Sequence, residues 1–77
     1  MKKMDHAAYQ KALREKSEEQ LRYAIRDAGE AIRAMPDGEN AGYYADEVSY
    51  CAMELARRQR ARDHEFAKAF NRLARTR

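Results

Sequence analysis

The chain has 77 residues, of which 44% are hydrophobic and 38% charged, and its formal net charge is +3. This length predicts one domain, residues 1–77, near the lower size limit for a self-sufficient core. The chain has no run of 18 consecutive apolar residues and only one cysteine, Cys51, which argues against a membrane span and excludes an internal disulfide.

The beginning of the chain predicts a cytoplasmic protein. The stretch MKKMDHAAYQ contains two lysines with no apolar run after them, which is not the pattern of a signal peptide. A single cysteine also fits a reducing compartment.

The first clear helix signal is a capping box at Ser17. Gln20 follows Ser17 at the required spacing and predicts a helix over about 18–35. Along that helix, apolar residues recur at alternating spacings of four and three, which is a coiled-coil seam. The seam consists of Leu21, Ile25, Ala28, Ile32 and Met35.

A turn at 35–40 separates this helix from the next one. Pro36 cannot continue a helix, and Gly38 allows a tight turn. The second helix begins at about 41 and has a seam of its own, formed by Tyr44, Val48, Cys51 and Leu55. Two seams joined by a short turn predict an all-α fold, an antiparallel helical hairpin with its core at about 17–58.

The sequence leaves two arrangements open outside this core. In the first, two long helices run continuously over about 5–35 and 41–75. In the second, a short helix over about 4–15 precedes Ser17, and a C-terminal arm (57–77) projects past the core. The second is preferred because a capping box has no use inside a continuous helix.

The outer face of the second helix carries an aromatic and acidic patch, which predicts a protein-contact face. Its residues are Tyr43, Asp46, Glu47, Tyr50, Met53 and Glu54. Tyrosine and methionine are enriched at protein interfaces, and a core this small gains from self-association. We therefore predict a homodimer formed through this face, or a protein partner bound there.

The charge is divided unevenly along the chain. Residues 1–56 have a net charge of −3, whereas the C-terminal arm has +6. Its first turns form a predicted basic contact segment, Arg57, Arg58, Arg60 and Arg62. Arginine suits phosphate binding, but Phe66 and Phe70 look like packing residues rather than base-stacking ones. Nucleic acid is therefore the alternative partner.

The sequence predicts no catalytic, cofactor-binding or metal-binding residues. His6 and His64 are not spaced as metal ligands, and Cys51 lies on the apolar seam without an activating neighbour. We expect a protein that is not an enzyme and has no small-molecule substrate. We also expect no membrane-surface helix, because the apolar stripe of the arm is short.

The run KSEEQLRYAIRDAGEAIRAMPDGENAGYYADEVSYCAMELARR, residues 16–58, resembles small helical proteins encoded by tailed bacteriophages and prophages. In the proteins of that group, a sequence segment that contains LRY precedes a segment that contains GYYADE. The resemblance implies an accessory protein that binds and inhibits or modulates a host protein complex, such as a CRISPR–Cas defence system, in the host cytoplasm. The alternative is a small nucleic-acid-associated regulator that contacts phosphates through the arginine-rich arm.

Overall fold

The computed structural model describes residues 3–75, which form three α-helices and no strand. These are α1 (His6–Leu13), α2 (Glu18–Ala34) and α3 (Ala41–Arg75). The molecule is elongated, with extents of 61 × 23 × 16 Å. Its length follows from α3, because 35 helical residues span about 52 Å.

Two side-chain caps separate α1 from α2. Asp5 caps α1 by accepting a hydrogen bond from the backbone N–H of Ala8 at 3.2 Å. Ser17 accepts from the Gln20 N–H at 3.1 Å, and the Gln20 side chain accepts from the Ser17 N–H at 2.8 Å. The prediction of a separate short N-terminal helix is therefore confirmed, and the alternative of one helix over 5–35 is wrong, because the capping box interrupts it.

The turn between α2 and α3 is built from short-range backbone hydrogen bonds. The Gly38 N–H donates to the Met35 carbonyl at 3.0 Å, and the Ala41 N–H donates to the Gly38 carbonyl at 3.2 Å. A Cβ atom at residue 38 would lie 3.1 Å from the Met35 carbonyl oxygen, so the turn favours glycine there. Met35 leaves the helical conformation at this point and is 67% exposed, contrary to its predicted place on the seam.

The core lies where the three helices meet. Leu13 of α1, Leu21 of α2 and Cys51 of α3 are almost completely buried and form one cluster. Five partly buried side chains pack against it: Tyr9, Ala24, Ile25, Tyr50 and Leu55. Half of these eight residues lie on the predicted seams of α2 and α3, namely Leu21, Ile25, Cys51 and Leu55. Two more come from α1, and Ala24 and Tyr50 lie off the predicted seams.

The helix α3 continues well past this core. From residue 59 to residue 75 every side chain is exposed, including Phe66 at 73% and Phe70 at 62%. The C-terminal arm is therefore a solvent-exposed helix over most of its length. No helix among residues 3–75 is long and apolar enough to cross a membrane.

Candidate functional site

The short helix α1 packs on the face of α3 that the sequence predicted to be an outer face. His6 Nδ1 and the Tyr50 hydroxyl are joined by a hydrogen bond of 2.8 Å, and the two rings lie 5.6 Å apart, edge to face. The Tyr9 ring lies 6.2 Å from the Tyr50 ring. Tyr50 is thus held between two α1 side chains, and the expectation that its ring stays free outside the fold is wrong.

Tyr9 ties α1 to two polar groups of α3. Its hydroxyl donates to the Glu47 carboxylate at 3.3 Å and lies 3.6 Å from Cys51 Sγ. Burial, together with the hydrogen bond to Cys51, raises the pKa of Tyr9 well above its ordinary value. Burial also raises the pKa of the Cys51 thiol, which keeps it protonated and a poor nucleophile.

A buried carboxylate, Glu54, lies about one turn beyond Tyr50 on α3 and binds two arginines of the same helix. Glu54 is only 8% exposed, and Arg57 donates to both of its oxygens, at 3.0 and 2.7 Å. Arg58 adds a hydrogen bond of 2.8 Å to the same carboxylate. These arginines, with Arg57 as the main cause, lower the pKa of Glu54 to about 2.

Arg58 also binds the end of α1. Its Nη2 atom donates to the carbonyls of Leu13 at 3.1 Å and of Lys16 at 2.7 Å, with a longer contact to Arg14 at 3.4 Å. The Leu13 carbonyl also accepts from the Lys16 N–H at 3.1 Å, so Arg58 is a second donor to it and fastens the end of α1 to α3. Arg58 therefore links Glu54 of α3 to the connection between α1 and α2.

The low pKa of Glu54 predicts acid sensitivity. A carboxylate whose pKa is lower in the folded state than its ordinary value of 4.5 stabilises the fold above that pH, and the contribution is lost as the pH falls towards about 2. We expect the thermal midpoint of the wild-type protein to fall more steeply across this window than that of the Glu54→Gln variant. Circular dichroism melts from pH 6 to pH 2 measure both slopes, and equal slopes would contradict the prediction.

An open groove lies between α1 and α3, beside this network. It has a volume of about 400 Å³. Six of the residues that line it are Leu13, Arg14, Tyr50, Met53, Arg57 and Arg60. We call it the α1–α3 groove. Met53 is 61% exposed and is the large apolar side chain most open to solvent along it, and three arginines line the same groove.

The structure places the six residues of the predicted contact face in different environments. Tyr50, Glu47 and Glu54 contact α1 or the arginine network, so they are not a free surface. Tyr43 and Asp46 are partly exposed near the beginning of α3, where the Tyr43 ring lies 5.9 Å from that of Tyr44. Only Met53 combines high exposure with a place in the groove.

The four residues of the predicted basic segment also have separate positions. Arg57 and Arg58 bind Glu54. Arg62 bonds to Glu18 at the beginning of α2 and lowers the pKa of that carboxylate. Arg60 is exposed and lines the α1–α3 groove. Part of the positive charge is thus paired with carboxylates of the same chain, and the remainder lies at the groove and along the arm.

The part that α1 plays in forming this site was not predicted from the sequence. Tyr9 and Leu13 continue the spacing of four that leads to Leu21, and this row was the only available signal. It indicates that α1 has an apolar side but not that the side packs on α3. Among residues 3–75 no group of three histidine, cysteine or acidic side chains is placed to hold a metal ion.

Comparison of the chain with protein-family models, with curated proteins and with solved structures found no match. The resemblance to phage-encoded proteins therefore stays a prediction.

Proposed function

We propose that this protein is a non-enzymatic interaction module that binds a protein partner in the α1–α3 groove and so inhibits or modulates it. In this proposal α2 and α3 form an antiparallel hairpin, α1 closes one side of the groove, and two copies associate as a homodimer. If the chain is encoded by a phage, the partner is a protein of the host. The observation that carries the proposal is the exposed Met53 beside Tyr50, within a rim of arginines.

The chemistry of the groove suits a protein segment. Tyrosine, methionine and arginine are enriched in the centres of protein interfaces, and methionine adapts its shape to different partners. The charge of Glu54 is balanced by Arg57 and Arg58, which leaves Arg14 and Arg60 to set the charge of the rim. A partner segment with one large apolar side chain and neighbouring acidic residues is complementary to this arrangement.

Affinity capture from a host-cell lysate, treated or untreated with nuclease, tests the proposal. We expect wild-type protein to retain a discrete protein after nuclease treatment, and the Met53→Asp variant to lose it. Tyr23→Asp is the matched control, because Tyr23 is 69% exposed but lies on α2, away from the groove. The proposal fails if Met53→Asp captures the same protein as the control, or if no protein survives the nuclease.

A nucleic-acid-binding regulator is the second candidate, and the distribution of charge on the arm favours it. Lys68, Arg72 and Arg75 lie together on one side of the exposed arm, along with Asn71. Such a row suits phosphate oxygens, and binding of this kind weakens log-linearly with salt concentration. A steep salt dependence of RNA or DNA binding, reduced by Lys68→Glu, would support this candidate over the first.

A further inference from the structure

The C-terminal arm displays an apolar stripe that the rest of the chain leaves exposed. Phe66 and Phe70 are one helical turn apart and mostly exposed, and Leu73, 72% exposed, follows three residues later. These spacings place the three side chains along one line of the helix, in the pattern used when a helix docks on an apolar surface. Contiguous exposed side chains of this size mark an interaction site.

The stripe continues the face of α3 that α2 covers closer to the core. Val48 and Phe66 are 18 residues apart, about five complete turns, so they lie on one line along α3. Leu55 lies close to the same line, 11 residues or about three turns before Phe66, and packs against the core cluster. The N-terminal end of α2 is Glu18, which bonds to Arg62, and Arg62 lies about one turn before Phe66 on α3. The helix α2 therefore does not extend alongside the stripe.

We infer that the stripe is covered by the C-terminal arm of a second copy, with the two arms antiparallel about a two-fold axis close to Phe70. The inference rests on the self-association included in the proposed function, and it assigns that association to a surface other than the predicted contact face. The arm of the second copy occupies the space that a longer α2 would fill.

The position of α2 determines the direction of pairing. A parallel pair would bring the cores of both copies to the same end. At that end α2 already covers the face of α3 that would have to meet the other copy, so the two α2 helices would block the pairing. An antiparallel pair places the two cores at opposite ends and buries the same stripe of both copies. A two-fold axis perpendicular to the two arms relates the copies in this pair. The same patch of each copy then meets its counterpart in reverse order.

The charges on the two copies are complementary in this arrangement. The C-terminal end of one arm, with Arg75, comes within about one turn of the beginning of α2 in the other copy, where Glu18 and Glu19 lie. The negative end of one helix dipole then faces the positive end of another, which is also favourable. Arg72 of one arm comes level with Lys68 of the other, but both project away from Phe66, so the pair does not force these like charges together.

Sedimentation equilibrium of the whole chain over a concentration series tests the inference. We expect wild-type protein to approach twice its monomer mass of 9.0 kDa. Phe70→Glu places two like charges at the axis and should weaken association by more than about 100-fold. Asn71→Glu is the matched control, because it adds the same charge one residue along the arm, off the stripe, and should leave the dimer intact.

Cross-linking tests the direction. In a Cys51→Ala background, chains carrying Phe66→Cys should form disulfides with chains carrying Leu73→Cys, and each variant alone should form few. Self-cross-linking of each variant alone would indicate parallel arms and overturn the inference.

The outcomes separate this inference from the proposed function. A wild-type chain that stays at 9.0 kDa overturns both the inference and the proposed homodimer. A wild-type dimer that survives Phe70→Glu overturns this interface and leaves self-association standing. Partner capture by the α1–α3 groove is tested by Met53→Asp, which lies outside the stripe.

Discussion

Replacing Arg58 by alanine is expected to lower the free energy of unfolding by about 2–4 kcal/mol. The side chain of Arg58 is only 17% exposed, and it bonds both to Glu54 and to the carbonyls that end α1. The variant leaves the buried carboxylate with one partner fewer and removes the hydrogen bonds that hold the end of α1 to α3. Urea unfolding followed by circular dichroism, at one fixed protein concentration, measures the change.

Arg57→Ala is the matched control for this prediction. Arg57 binds the same carboxylate with two hydrogen bonds, but its side chain is 49% exposed, and within residues 3–75 no hydrogen bond or ion pair joins it to α1. Its loss leaves Arg58 in place, so we expect Arg57→Ala to lower the free energy of unfolding by clearly less than Arg58→Ala does. If the two variants were equally unstable, the carbonyls of α1 would not contribute, and the role assigned to Arg58 would be wrong.

Replacing Leu21 by alanine is expected to cost about 2–5 kcal/mol, as large-to-small substitutions in packed cores do. Leu21 is fully buried and forms one cluster with Leu13 and Cys51. A core of this size supplies only ~3–5 kcal/mol in total, so the variant should be largely unfolded near room temperature. Thermal melts and the loss of helical ellipticity report this directly.

Tyr23→Ala serves as the control on the same helix. Tyr23 is 69% exposed, and exposed substitutions away from special contacts change stability by about 0.5 kcal/mol or less. A melting temperature for Leu21→Ala close to that of the control would contradict the placement of Leu21 at the centre of the core.

These two sites bear on the proposed function because they hold α1 in place. Leu13 and Arg14 of the α1 end form part of the groove lining, and Arg58 binds the carbonyls of both. A groove built from a helix of eight residues depends on such contacts, since an isolated helix of that length is not stable in water. Partner binding in the α1–α3 groove should therefore weaken with Arg58→Ala as well as with Met53→Asp.

Features that depend on near neighbours could be predicted from the sequence. The capping box at Ser17 joins residues three positions apart, and Pro36 ends a helix through its own ring. The apolar spacing of Leu21, Cys51 and Leu55 identified which sides of two helices lie in the core. All these signals act within one or two helical turns, so a single sequence displays them.

The tertiary structure decided which outer side chains remain exposed. Tyr50 meets His6 across 44 positions of sequence, and Arg58 reaches the Leu13 carbonyl across 45. No local pattern encodes these contacts, because they depend on where the turn after Leu13 directs α1. The same reason explains Phe66 and Phe70, which have the spacing of packing residues but lie beyond the beginning of α2, where no helix within residues 3–75 covers them.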